Sequence, residues 1–171
     1  TNYNTEFIKK QRQIHNFAKS LYPDLKIIEN TNNDISEKAL EVAKRNAELN
    51  KVEINFIEAN ILEVEDLNQH FDIIVSNPPY VRNLEKQEIK KNVLNYEPHL
   101  ALFVEDTDAL LFYRKIAQLA LENLSPNGLL FFEINQYLGK ETVELLENLG
   151  FKNIELKKDI YGNNRMIRCS I

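Results

Sequence analysis

The sequence predicts an α/β domain whose mostly parallel sheet ends in an antiparallel hairpin. Three observations lead there. Amphipathic helical stretches alternate with short apolar runs. Two of those runs, FDIIVS (71–76) and GLLFFEI (128–134), are continuous in the way of strands buried on both faces of a parallel sheet. The last two strand-like stretches, FKNIELKKD and RMIRCSI, are separated only by IYGNN, which is too short to hold a crossover helix.

Two organisations meet near residue 33. Residues 1–22 are polar and predicted helical, with Phe7, Ile14, Phe17 and Leu21 on one side. LKIIEN reads as a strand and NTNN as a loop. From Asp34 the pattern becomes regular. DISEKALEVAKRNAELN places Ile35, Ala39, Val42 and Ala43 on one helical face. VEINFIE (52–58) alternates as a strand, and FDIIVS follows after a polar link. A long irregular piece then leads to DTDALLFYRKIAQLALENL. Its Leu110, Tyr113, Ala117, Ala120 and Leu124 form one stripe, its opening acids suit the positive end of a helix, and SPNG is predicted to stop it. GKETVELLENLG is a helix closed by Gly150. Gly162 and Asn163 supply the hairpin turn.

The totals bound the answer. A chain of 171 residues with 43% hydrophobic and 27% charged content is a single globular domain, and no apolar run has the length of a membrane span. TNYNTEFIKKQRQ lacks a signal-peptide core. The chain starts at Thr1, which we read as a fragment or processed form. A net charge of −5 without a basic run argues against affinity drawn mainly from phosphate contacts. The single cysteine, Cys169, excludes an internal disulfide, fits a reducing compartment, and reads as an inert residue of the last strand. His15, His70 and His99 share no ligand-like spacing, so no metal site is expected.

The chemistry concentrates in FDIIVSNPPYV. Ligands of open α/β sheets bind beyond the carboxyl ends of the strands, where Asn77-Pro78-Pro79-Tyr80 falls. Each proline fixes its own φ and holds the preceding residue extended. That leaves two fixed acceptors, the Asn77 side-chain oxygen and the Pro78 carbonyl, suited to the two donors of a planar NH2 group. An amide or aromatic amine is a weak nucleophile. As it attacks, positive charge grows on nitrogen and its hydrogens become stronger donors, so paired acceptors favour the transition state. Tyr80 offers an aromatic face to the planar group. The bland alternative is a rigid turn followed by a core tyrosine.

Two further residues are candidates. Asp34, just before a helix, is either an N-cap or a carboxylate for ribose hydroxyls, and the two roles compete for the same oxygens. Asn60, in EANIL, could meet a base edge with its amide.

Read together, these segments resemble the HemK-type protein glutamine methyltransferases that modify peptide chain release factors. DISEKALEVAKRNAELN is similar to the family's second-strand acid and following helix, and FDIIVSNPPYV to its active-site segment. YEPHLALF (Tyr96 to Phe103) and YGNNRMIR resemble its next segment and its C-terminal signature. The loop alone is shared by several amino-methylating families; its combination with YEPHLALF is far more specific. The resemblance covers 34–171 and makes 1–33 an atypical or discontinuous N-terminal segment. It implies a seven-stranded, Rossmann-like fold with S-adenosylmethionine as methyl donor and a release factor as protein substrate. Asp34 would bind the ribose, and Asn60 would lie near the adenine at a position that more often carries aspartate. Asn77 would also border the cofactor, while Asn77, Pro78, Pro79 and Tyr80 would hold the glutamine amide and Glu97 would brace the loop. The same reading expects a cytoplasmic monomer without membrane or direct nucleic-acid binding.

One departure stands out. The family carries a glycine-rich cofactor loop upstream of the Asp34 equivalent, whereas the first glycine here is Gly128. The family's small helical recognition domain is also missing. Either a segment before Asp34 has been omitted or the loop has been lost, and the intact NPPY favours omission. Three alternatives stay open: a ribosomal-protein glutamine methyltransferase, a nucleic-acid adenine amino-methyltransferase, and a non-catalytic binding module.

Overall fold

The computed structural model describes residues 37–52, 54–89 and 99–171. The expectations for residues 1–33, Asp34 and Glu97 fall outside them. In chain order the elements are α1 (Glu37–Asn50), β1 (Phe71–Ser76), β2 (Val81–Arg82), a 3-10 helix (Asn83–Glu88), the short α2 (His99–Leu102), β3 (Phe103–Val104), a 3-10 turn (Asp106–Asp108), α3 (Leu111–Asn123), β4 (Leu124–Glu133), α4 (Gly139–Asn148), β5 (Lys152–Lys158) and β6 (Asn164–Ser170).

Among the described residues the main sheet has four strands in the order β1-β4-β6-β5. β1 and β4 run parallel, and β6 is antiparallel to both β4 and β5. The expected terminal hairpin is therefore present. Its turn is tied by Asp159, whose Oδ1 accepts from the backbone N–H groups of Tyr161 and Asn163 at 2.9 and 3.0 Å. Gly162 supplies the positive φ of +86°.

Alternation decides the core. Leu130, Phe132 and Ile134 of β4 and its continuation are at most 2% exposed, opposite Cys169 and Ile167 of β6 through the pairs Leu130–Cys169 and Phe132–Ile167. The predicted stripe covers this face in part within α3: Tyr113, Ala117 and Ala120 are buried, Leu110 just before the helix is half-buried, and the buried Leu124 is already the first residue of β4. The Tyr113 and Phe132 rings meet edge to face, with centroids 5.2 Å apart. Burying one such aromatic contributes about 1.5–3 kcal/mol. Leu146 of α4 completes the cluster.

Helix ends follow the chemistry. α4 closes on Gly150 (φ +95°), with the Phe151 N–H donating to the Leu146 carbonyl at 3.0 Å. Its first residue is glycine for space: a Cβ on Gly139 would lie 2.7 Å from the Asn164 side chain. The acids before α3 pair instead of merely facing a dipole. Asp108 accepts two bonds from the Arg114 guanidinium at 3.0 Å, which holds its carboxyl below the usual range.

Three expectations need correction. VEINFIE forms no strand of the sheet in its described residues, which hold only an isolated bridge at Ile57, and Val52 and Ile57 stay exposed; alternation gives a strand two faces but does not by itself supply a pairing partner. FDIIVS is a strand, but a half-exposed one, with Val75 at 38%. β1 is the end of the described sheet and pairs only with β4, so it does not have the double burial its apolar run predicts. SPNG does not separate helix from strand: α3 ends at Asn123 and β4 begins at Leu124. The extra residues are absorbed as a bulge, the register passing from Phe71–Leu124 to Ile73–Leu129.

Candidate active site

β1 ends at Ser76 and β4 at Glu133, and because the two run parallel their carboxyl ends share one edge of the sheet. The loop Asn77–Tyr80 leaves from that edge. Pro78 and Pro79 are buried, and Asn77 is exposed. Among the described residues, neither the Asn77 side chain nor the Pro78 carbonyl makes a hydrogen bond. Two buried rings thus anchor a loop whose first residue keeps its amide open. The acceptors picked out from the sequence are available.

Tyr80 is tied at both ends. Its hydroxyl donates to Oε1 of Glu133 at 2.7 Å, and its carbonyl accepts from Nδ2 of Asn135 at 2.9 Å. Burial raises the phenol pKa well above its ordinary value. The Glu133 carboxylate adds to the rise by charge and by its hydrogen bond, and Arg165 opposes it. The core-tyrosine reading of Tyr80 is therefore realised in part, since the ring packs against the hydrophobic cluster.

Behind the loop lies a polar network that the sequence did not reveal. Asn135 also donates to Oε2 of Glu85 at 2.8 Å, and its Oδ1 accepts from the Tyr137 N–H at 2.9 Å. Glu85 is only 6% exposed and also takes the Arg82 backbone N–H and guanidinium. Tyr113 donates to the Glu133 carbonyl and accepts from the Asn135 N–H, both at 3.2 Å. A glutamate closing an apolar strand was the one available signal, at Glu133. Glu85 sits in NLEKQE, which reads like any solvated turn.

The segment after the loop is held beside it. Val81 and Arg82 pair with Phe103 and Val104, so the end of YEPHLALF lies parallel to the residues that follow NPPY. Lys86 stacks over the Phe103 ring at 4.7 Å. The C-terminal signature reaches the same edge through the Arg165 carbonyl, which accepts from Ile134 N–H at 2.8 Å.

Asn60 stands apart. Its Oδ1 accepts from Leu62 N–H at 3.1 Å, its Nδ2 donates to Glu63 at 2.9 Å, and its carbonyl accepts from Glu63 and Val64. It opens a turn, and none of its hydrogen bonds reaches the loop. One amide proton remains for a base edge, so its donor set still fits an adenine. Among the described residues no group of three His, Cys, Asp or Glu side chains is arranged to hold a metal, and no helix is long and apolar enough to cross a membrane.

Comparison with known proteins gives the geometry a context. Residues 17–100 match the model of the methyltransferase small domain. A release factor glutamine methyltransferase of Flavobacterium psychrophilum is 76% identical over 137 residues, 80% of this chain and 48% of that protein. The protein of the same name from Bacteroides thetaiotaomicron is 44% identical over 138 residues, 80% of this chain and 50% of its own. Over these residues the chain is similar to proteins named release factor glutamine methyltransferase, and it spans about half the length of the curated relatives it matches. Its fold is shared with a crystal structure of a methyltransferase from Pyrococcus furiosus, at a TM-score of 0.61 and 17% identity, covering 92% of this chain and 68% of that one. The chain thus has a Rossmann-like methyltransferase fold.

Proposed function

We propose that this chain carries the acceptor half of an S-adenosylmethionine-dependent enzyme that methylates the side-chain amide of a glutamine, in the Gly-Gly-Gln loop of a peptide chain release factor. The observation that carries the reading is the open Asn77 amide at the carboxyl end of β1, set on two buried prolines. The names of the two similar proteins support the substrate class.

Asn77 Oδ1 and the Pro78 carbonyl accept the two N–H bonds of the glutamine amide, and the buried prolines keep both from turning away. As the amide nitrogen forms its new bond, positive charge builds on it and both hydrogen bonds strengthen, lowering the barrier without raising ground-state affinity equally. Tyr80 and Pro79 bound the planar group. The nitrogen loses its proton to solvent after the bond has formed, so no side chain need act as base during attack. S-adenosylmethionine would supply the methyl group, already activated on a sulfonium whose sulfur would leave as a neutral thioether when the sulfur–methyl bond breaks. Asp34 toward the ribose and Asn60 toward the adenine are the residues assigned to hold it, and Asn77 borders it without carrying its affinity.

The same reading completes the sheet as seven-stranded and mostly parallel, and places a monomer in the cytoplasm with no nucleic acid in its site. Mass spectrometry of a release factor incubated with the chain and S-adenosylmethionine tests it. One added methyl on the glutamine of the Gly-Gly-Gln loop is expected. Modification of adenine amines instead would overturn the substrate assignment.

A further inference from the structure

Asn135 is 3% exposed and lies two residues beyond the end of β4. A buried carboxamide must place two protons and its carbonyl oxygen. Here one proton goes to the Tyr80 carbonyl at 2.9 Å and the other to Oε2 of Glu85 at 2.8 Å, while Oδ1 takes the Tyr137 N–H at 2.9 Å. The three partners belong to three separate segments: the NPPY loop, the 3-10 helix after it, and the chain leading into α4. Glu85 is itself held by Arg82 through its backbone N–H at 3.1 Å and its Nε at 2.7 Å.

The geometry points to Asn135 as a positioning residue of the acceptor loop. It contacts none of the proposed reacting atoms. It fixes the carbonyl end of Tyr80 while Glu133 fixes the hydroxyl end, so the peptide that follows the two prolines is pinned from the neighbouring strand. The buried prolines anchor the start of the loop and restrict its φ angles, but they supply no tie for the peptide that follows Tyr80. The Asn135 bond supplies it. Its catalytic consequence rests on the methyl-transfer reading above, because displacement of an acceptor pair by a fraction of an ångström weakens transition-state hydrogen bonds more than it weakens binding.

Asn135→Asp is the decisive variant, since it keeps the shape but turns an oxygen toward the Tyr80 carbonyl and the Glu85 carboxylate. In the full-length chain, backbone amide order parameters of Asn77 and Tyr80 should fall from near 0.85 toward 0.6. In the folded variant kcat should drop by roughly tenfold or more, with the calorimetric Kd for S-adenosylmethionine within about twofold. Unchanged loop order would overturn the clamp. So would a cofactor affinity that falls in parallel with kcat, because that is the mark of general loosening. If the aspartate variant does not fold, Asn135→Ser withdraws the donor from Tyr80 without adding charge and is read in the same way. The order parameters need no turnover. They decide the clamp even where the wild-type chain moves no methyl group, a result that would count against the methyl-transfer reading alone.

Discussion

The Tyr80 hydroxyl donates to Oε1 of Glu133 across 2.7 Å, joining residues 53 apart in sequence. The bond links the loop leaving β1 to the last residue of the neighbouring strand, and it buries a carboxylate against a phenol. Tyr80→Phe keeps the ring and removes the bond, leaving Glu133 without this partner. A loss of about 1–3 kcal/mol is expected, read as a lowered urea midpoint with an unchanged slope.

The same pair sets an alkaline limit. Burial, then Glu133, raise the folded-state pKa of Tyr80 above its ordinary value near 10. The stability this neutral phenol contributes is fully present below the unfolded pKa, and it is lost as pH rises above about 10 toward the folded value. Chemical denaturation of wild-type and Tyr80→Phe from pH 8 to 11 should show the wild-type advantage shrinking. An advantage that grows with pH would reverse the assignment.

Asn77→Ala removes one of the two proposed acceptors from an exposed position and touches no buried bond. Turnover should fall on the order of 100-fold or more, while S-adenosylmethionine binding and thermal stability stay close to wild-type. Parallel loss of turnover and cofactor affinity would show that Asn77 holds the cofactor rather than the amide.

Cys169 is buried on β6, and burial pushes its thiol up to about 12. It should resist a thiol reagent at pH 8 in the native chain and react fully in denaturant. Labelling at the rate of a free thiol under native conditions would mean that β6 opens locally.

Gly150 sits at φ +95° with no atom within 4 Å of where a Cβ would stand. Replacing it with alanine meets no clash, so the whole cost is backbone strain at the end of α4. We expect a loss of roughly 1 kcal/mol, measured by thermal or urea unfolding. A neutral effect would mean the turn relaxes out of the left-handed region.

The sequence by itself determined the features whose cause is local. The α3 stripe follows from 3.6-residue periodicity, and its Tyr113, Ala117 and Ala120 are buried as read. The close of α4 follows from a glycine free to take positive φ, and the hairpin from a link too short to cross over. The rigidity of NPPY follows from two ring-fixed torsions. Each is a property of a few consecutive residues, and each was legible. Tertiary structure alone decided what depends on which edge lies beside which. FDIIVS reads as doubly buried, yet β1 ends the described sheet and keeps Val75 exposed; VEINFIE has the alternation of a strand but no described place in the ladder. Beyond the glutamate that closes an apolar strand at Glu133, the network around Asn135 and Glu85 carries no local signal, because the bonds that join the loop to it, Tyr80–Glu133, Tyr80–Asn135 and Glu85–Asn135, span 50 or more residues. Hydrogen bonds at that separation are set by the path of the whole chain, and a buried polar group takes whichever partner that path supplies.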